Sequence, residues 1–249
     1  MGRAVSECLA SEGARVALLA RGQEALEATA ASCRELGSPD VVALSVDVGD
    51  RVAVERAFAQ LDERWGELNV LVHTVGPGAG RLEELTDDDW DTAWRVGTMA
   101  AVHCARAAIP LLRRAEWARI VTLAAHSIQR QNPMLISYTA SKAALTSVTK
   151  NLAKSLAADG ILVNTVSPGT IVTASFTEGL RPVLEAAGLD PADPYDVMRW
   201  IEQVYHQPAD LGRAGRPEEV AALVAFLASR RNGYVTGANV NVDGGSDFV

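Results

Sequence analysis

The chain is poor in residues that cross-link or metallate a fold. Of its 249 residues 3 are cysteine and 4 histidine. Cys8, Cys33 and Cys104 stand far apart, and His73, His103, His126 and His206 form no H-x-x-x-H pair. Neither a disulfide framework nor a metal site is expected, and a reducing, cytoplasmic setting fits best. No apolar run approaches the roughly 20 residues that span a bilayer, and no charged-then-apolar signal segment opens the chain, so a membrane is not an expected partner. Positive charge is in deficit: 23 Lys+Arg against 31 Asp+Glu leave a net charge of −8. An acidic surface repels phosphate backbones, which argues against nucleic acid as a partner. Internal repeats and low-complexity tracts are missing as well. What remains is ordinary globular composition, 48% hydrophobic, at a length that suits one domain with a sizeable core.

Short apolar runs at 14–20, 41–46, 68–73, 119–125, 161–167 and 239–242 read as strands. They are rich in Val, Leu and Ile with little in–out alternation, the pattern of strands covered on both faces. Between them, residues 24–36, 51–65, 90–112, 135–158 and 217–228 carry helical spacing of apolar side chains. Start and stop signals agree: Thr86 with Asp89 forms a capping box, Pro217 suits a first turn, and Gly37 and Gly66 follow helix ends. The chain opens on a further helix that packs through Val5 and Leu9. Strand–helix–strand units of this size imply parallel pairing, so the expected fold is α/β, a doubly wound parallel sheet in one domain covering residues 1–249. Ligands of such sheets bind outside the carboxyl ends of the strands. Residues 174–211 break the rhythm with Gly179, Pro182, Gly188, Pro191, Pro194 and Pro208, and read as a substrate lid.

Tyr138-Thr139-Ala140-Ser141-Lys142 carries the chemistry. Tyr and Lys four apart on a helix share one face. A phenol near pKa 10 is too weak an acid for work near neutrality, and a neighbouring ammonium favours the phenolate, so the pair can act as a general acid/base. Several nearby patterns carry no such weight. Gly76-Pro77-Gly78-Ala79-Gly80 lacks dinucleotide-fingerprint spacing, and Pro77 has no N–H for a phosphate, so it reads as a flexible loop. Asp87-Asp88-Asp89 suits a helix first turn, where acids complement the dipole.

With its surroundings, the pentad resembles the active-site helix of the short-chain dehydrogenase/reductase family. Asp47-Val48 resembles the family's adenine-contacting dipeptide, and the stretch from Asn164 through Pro168-Gly169-Thr170-Ile171-Val172-Thr173 its nicotinamide-seating segment. Gly215-Arg216-Pro217, Tyr234-Val235-Thr236-Gly237 and Val242-Asp243-Gly244-Gly245 resemble its C-terminal signature. The resemblance implies a Rossmann-type three-layer αβα fold and an NAD(P)-dependent oxidoreductase interconverting a secondary alcohol and a ketone. Tyr138 is then the acid/base, and Lys142 its electrostatic partner and the ligand of the nicotinamide ribose. The cofactor-binding set it implies is Gly2, Arg21, Asp47, Val48, Gly76, Tyr138, Lys142, Pro168, Gly169, Ile171 and Thr173, with no metal. Arg21 follows a strand where a carboxylate would favour NAD, so NADP is preferred over NAD. A homodimer or homotetramer built on the two long helices is also implied, as is a small-molecule substrate.

Four departures stand against the pattern. Gly2 aligns with the last glycine of the family's Gly-rich turn, so the first strand and most of that turn are absent; a start assigned too late is the preferred explanation, and without the turn cofactor affinity should fall. The tetrad serine is replaced by Ala125, with Ser127 or His126 the candidates to reach the same space. The tetrad asparagine is replaced by Gly97, with Thr98 beside it. The usual Asn-Asn-Ala-Gly reads His73-Thr74-Val75-Gly76. They leave open a redox-silent member that binds a ligand or a hetero-oligomer partner, or a non-redox lyase or isomerase.

Overall fold

The computed structural model of the chain describes residues 1–246. Six parallel strands alternate with helices. In chain order α1 (Gly2–Ser11) leads into β1 (Val16–Ala20), α2 (Gln23–Glu35), β2 (Val41–Ser45), α3 (Arg51–Trp65) and β3 (Val70–His73). There follow α4 (Asp87–Trp94), a π-helical turn (Arg95–Met99), α5 (Ala100–Leu112), β4 (Ala118–Leu123), α6 (Ile136–Leu156) and β5 (Ile161–Pro168). The remaining elements are α7 (Ala174–Ala186), α8 (Pro194–Tyr205), α9 (Pro217–Ala228) and β6 (Asn239–Val242).

The ends of these elements follow from local chemistry. Asp50 caps α3 by accepting from the Val52 and Ala53 N–H groups, and Gly66 ends it at φ 72, where only glycine is unstrained. Thr86 and Asp89 exchange side-chain and backbone hydrogen bonds at the start of α4, as their spacing predicts. The one long helix expected at 90–112 is instead α4 and α5 joined by the π turn.

Hydrogen-bond ladders join β2 to β1, and β3 to β4, β5 and β6 in that order. Among the described residues no ladder joins β1 to β3, so the sheet is in two parts, of two strands and four. Side chains bridge what the backbone does not. Ala17 and Leu19 of β1 meet Leu71 of β3 in one cluster with α3, α5 and α6. On the opposite face Val70 and Val72 of β3 pack with α1 and α9, while Val16 and Leu18 of β1 pack with α1 and α2. Alternate residues of each strand thus feed opposite helix layers, which gives the three-layer Rossmann-type architecture. Among the described residues no helix is long and apolar enough to cross a membrane.

Candidate functional site

The carboxyl ends of β3, β4 and β5 converge on α6. Lys142, only 2% exposed, reaches between the first two: its Nζ donates to the Val75 and Leu123 carbonyls, each at 2.7 Å. One turn earlier Tyr138 lies beside it, its ring centroid 6.0 Å from Nζ. Gly76 faces both. A β-carbon there would stand 3.3 Å from Tyr138 Cε2 and 3.5 Å from Lys142 Cε, so glycine leaves open a cradle that any other residue would crowd.

The electrostatics differ from the sequence expectation. An ammonium one turn away is expected to bring the phenol toward neutrality. In the structure desolvation dominates both groups: burial pushes Tyr138 up to about 12 and Lys142 down to about 7. Tyr138 therefore keeps its proton at ordinary pH. Loss of a proton from Lys142 still leaves two N–H groups for its two carbonyls, so its position survives its titration.

His73 closes β3 at 4% exposure, with no hydrogen-bond partner for Nε2. Burial, and then the Lys142 charge, push it down to about 3, so the imidazole is neutral near pH 7. The unfolded chain takes up this proton near pH 6.5, whereas the folded chain resists it down to about 3. Stability is therefore lost as pH falls through that window, by up to about 1.4 kcal/mol per pH unit. His73→Asn should flatten the loss, read as unfolding free energy by denaturant titration below pH 6.5; an unchanged slope would acquit the imidazole.

The departures have local causes. At Gly97, inside the π turn, a β-carbon would lie 2.3 Å from Ser141 Oγ and 2.7 Å from Ser141 Cβ, with Pro77 Cδ at 3.2 Å. The space around Gly97 is filled by Ser141 of α6. Thr98 does not stand in for it: its hydroxyl is buried and donates to the Ser141 carbonyl at 2.8 Å. Ala125 follows β4 in extended conformation, ahead of the short 3-10 turn His126–Ile128. In that turn Ser127 is buried and accepts from the Thr139 hydroxyl at 3.0 Å, while His126 Nδ1–H donates to the Pro168 carbonyl at 3.2 Å.

The other expected cofactor residues ring the same edge. Arg21, exposed, follows β1, and Asp47 follows β2. Asp47 accepts from the Gly49 N–H at 2.9 Å and pairs with Arg95 at 3.2 Å, and these contacts, with Arg21 nearby, hold it below the usual carboxylate range. Arg95, on the π turn, is not singled out by sequence reasoning. Val48 is buried in the α3–α5 cluster. Pro168 ends β5. Gly169 lies so close to Asp243 that a β-carbon would come within 2.7 Å of its Cα. Ile171 bridges to Gly215, and Thr173 caps α7 by accepting from the Phe176 N–H at 3.3 Å. Gly2 lies against Thr74 at the start of α1, where a β-carbon would stand 2.9 Å from Thr74 Oγ1. The open cradle at Gly76 and the exposed Arg21 fit an anionic dinucleotide lying across the strand ends. Among the described residues no group of three His, Cys, Asp or Glu could hold a metal ion.

The chain is similar to known proteins along nearly its whole length. A family profile described as enoyl-(acyl carrier protein) reductase matches residues 1–247. Meso-2,3-butanediol dehydrogenase of Serratia marcescens is 32% identical over 250 residues, covering 99% of this chain and 90% of that protein. L-Sorbose reductase from Gluconobacter frateurii, solved with NADPH and L-sorbose, superposes with a TM-score of 0.90 at 29% identity, over 99% of this chain and 92% of that one. A short-chain oxidoreductase from Pseudomonas aeruginosa, described as containing an atypical catalytic center, superposes at 0.87 with 27% identity, over 98% of this chain and 91% of that one. With that coverage, and with Tyr138 and Lys142 set at the strand ends, the chain belongs to the short-chain dehydrogenase/reductase family of NAD(P)-dependent oxidoreductases.

Proposed function

We propose that the protein reduces a ketone to a secondary alcohol, or runs the reverse reaction, with NADP(H) preferred over NAD(H) and Tyr138 as the acid/base. The observation that carries this is the Tyr138–Lys142 pair beneath the open cradle at Gly76. When bound, the nicotinamide supplies or accepts the hydride. Tyr138 holds its proton, at about 12, until a developing alkoxide needs it. Lys142 has two N–H groups committed to carbonyls; its third is available to a ribose hydroxyl while the amine is charged. Pro168, Gly169, Ile171 and Thr173 would seat the nicotinamide, and Asp47 and Val48 the adenine. The first turn of α1, at Gly2, would receive phosphate, and Arg21 a 2′-phosphate. Ala125 offers no hydroxyl to the substrate carbonyl, and Ser127 would reach it only if the 126–128 turn moves.

Residues 174–211, with α7 and α8, are the lid in this reading. The Serratia relative's name and the Gluconobacter structure's bound L-sorbose point to a small polar hydroxy-ketone or sugar-like substrate. The test is oxidation of NADPH with butane-2,3-dione or L-sorbose as probes, beside NADPH and NADH binding by fluorescence. Arg21→Asp should shift the preference toward NADH by about tenfold or more, since it replaces a phosphate-pairing cation by a ribose-accepting acid. Failure to bind either dinucleotide would favour a redox-silent role.

A further inference from the structure

Residues 172–214 carry an apolar cluster of their own. Leu184, Val197, Met198, Ile201, Ala209 and Ala214 are buried together, and the partly buried side chains packed on them all come from the same segment. Polar links join it to the rest of the fold. At its root Ile171 and Gly215 form a parallel bridge, with the Val172 N–H donating to the Gly215 carbonyl and the Gly215 N–H to the Thr170 carbonyl, both at 2.9 Å. At its far side the guanidinium of Arg130 donates to the carbonyls of Pro208 at 3.1 Å, Ser246 at 2.7 Å and His206 at 3.4 Å. Gln207 adds a bond to the Gln131 carbonyl at 3.0 Å.

The point of attachment is unusual in its backbone. His206 ends α8 at φ 53, the one non-glycine residue at positive φ among the described residues. Such a conformation persists where its surroundings hold it. Arg130 itself lies in the loop between β4 and α6, the loop that contains Ser127 and leads to Tyr138. The Ser127–Thr139 bond ties that loop to α6 beside Tyr138. A cavity of about 330 Å³ runs along the seam, with Arg81, Met134, Tyr205 and Gln207 in its walls.

We propose that Arg130 is a positioning residue: its guanidinium latches the self-cored 172–214 segment onto the loop leading to Tyr138 and so retains the substrate. The proposal rests on reading that segment as a lid. A planar fork can serve three carbonyls at once, which the single ammonium of lysine does poorly. Two of the acceptors, the Pro208 and His206 carbonyls, lie in the segment, and the third, Ser246, lies beyond β6, so Arg130 ties the segment to the fixed chain after the sheet through backbone oxygens alone. Besides the root bridge and Arg130, the Leu211 N–H donates to the Gly244 carbonyl at 3.0 Å, and the segment's own cluster gives it a core separate from the rest.

The experiment compares the parent with R130A and R130K in three measurements: reduction of butane-2,3-dione with NADPH, NADPH affinity, and amide hydrogen exchange. In R130A the KM for the dione should rise about tenfold or more, with NADPH affinity held within about twofold. Exchange in 201–211 should quicken about tenfold or more while β4 and β5 stay protected, and R130K should fall between parent and R130A. Unchanged KM and unchanged exchange would overturn the latch. So would faster exchange throughout the sheet, which marks a general structural role. If the parent reduces neither probe ketone, it is the functional reading that fails, and exchange in 201–211 alone still decides whether Arg130 holds the segment.

Discussion

Tyr138→Phe should lower the turnover of butane-2,3-dione by about 10²- to 10⁴-fold, the range that a positioned general acid supplies. The change removes one oxygen from a ring whose packing against Lys142 and Gly76 is otherwise kept. NADPH affinity should therefore stay close to that of the parent, because Lys142 is fixed by the Val75 and Leu123 carbonyls and not by the phenol. The two readouts separate chemistry from binding. The parent phenol, held up at about 12, also loses its proton late, so above pH 10 the fold loses up to about 1.4 kcal/mol per pH unit that the phenylalanine variant keeps. The sign follows from the proton count: between pH 10 and 12 the folded chain holds a proton that the unfolded chain has released, so stability falls as pH rises. Equal turnover in parent and variant would remove Tyr138 from the mechanism.

The second large effect is expected at Gly97. Alanine favours a helix over glycine by about 1 kcal/mol, so a reading from propensity alone makes Gly97→Ala stabilising. The structure gives the opposite sign. The new methyl would lie 2.7 Å from Ser141 Cβ, a separation that no rotamer of Ser141 relieves, and 3.2 Å from Pro77 Cδ. Overpacking of this kind costs about 1–3 kcal/mol, seen as a lower denaturant midpoint. Because Ser141 precedes Lys142, turnover should fall too. Ser141→Gly removes both close atoms, so the double variant should recover much of the loss, with a coupling energy of about 1 kcal/mol or more in a double-mutant cycle. A stable single variant, or a cycle without coupling, would show that α6 yields more easily than these distances imply.

Much of the fold is legible in the sequence because its signals are local. Asp50 and Gly66 bracket α3, Pro217 opens α9, and Asn239–Val242 stands alone between polar turns, so these elements fall where the pattern puts them. The C-terminal signature has a visible purpose once folded: Asn164 binds the Val235 carbonyl and the Ala238 N–H, and Lys150 the Gly237 carbonyl. The spacing of Tyr138 and Lys142 likewise puts them on one face without any tertiary knowledge. What the pattern misses depends on partners far away in the chain. The π turn lies against α6 through Gly97 and Thr98 at Ser141, a contact between residues more than forty positions apart that helical spacing cannot register. Ser141 explains Gly97 across a helix–helix contact. The depth of burial that reverses the expected Tyr138–Lys142 electrostatics, and leaves His73 neutral, exists only after the core closes. Arg130 is the extreme case, since its acceptors are carbonyls, and a carbonyl carries no sequence signature.

Among the described residues β1 and β3 share no backbone hydrogen bonds, and the residues proposed for the two ends of the dinucleotide, Arg21 and Asp47 on one side and Pro168–Thr173 on the other, lie on either side of that seam. Side chains alone carry the load there, Ala17 and Leu19 of β1 sharing a cluster with Leu71 of β3, so substitutions at these positions should weaken the union of the two sheets more than those within either ladder.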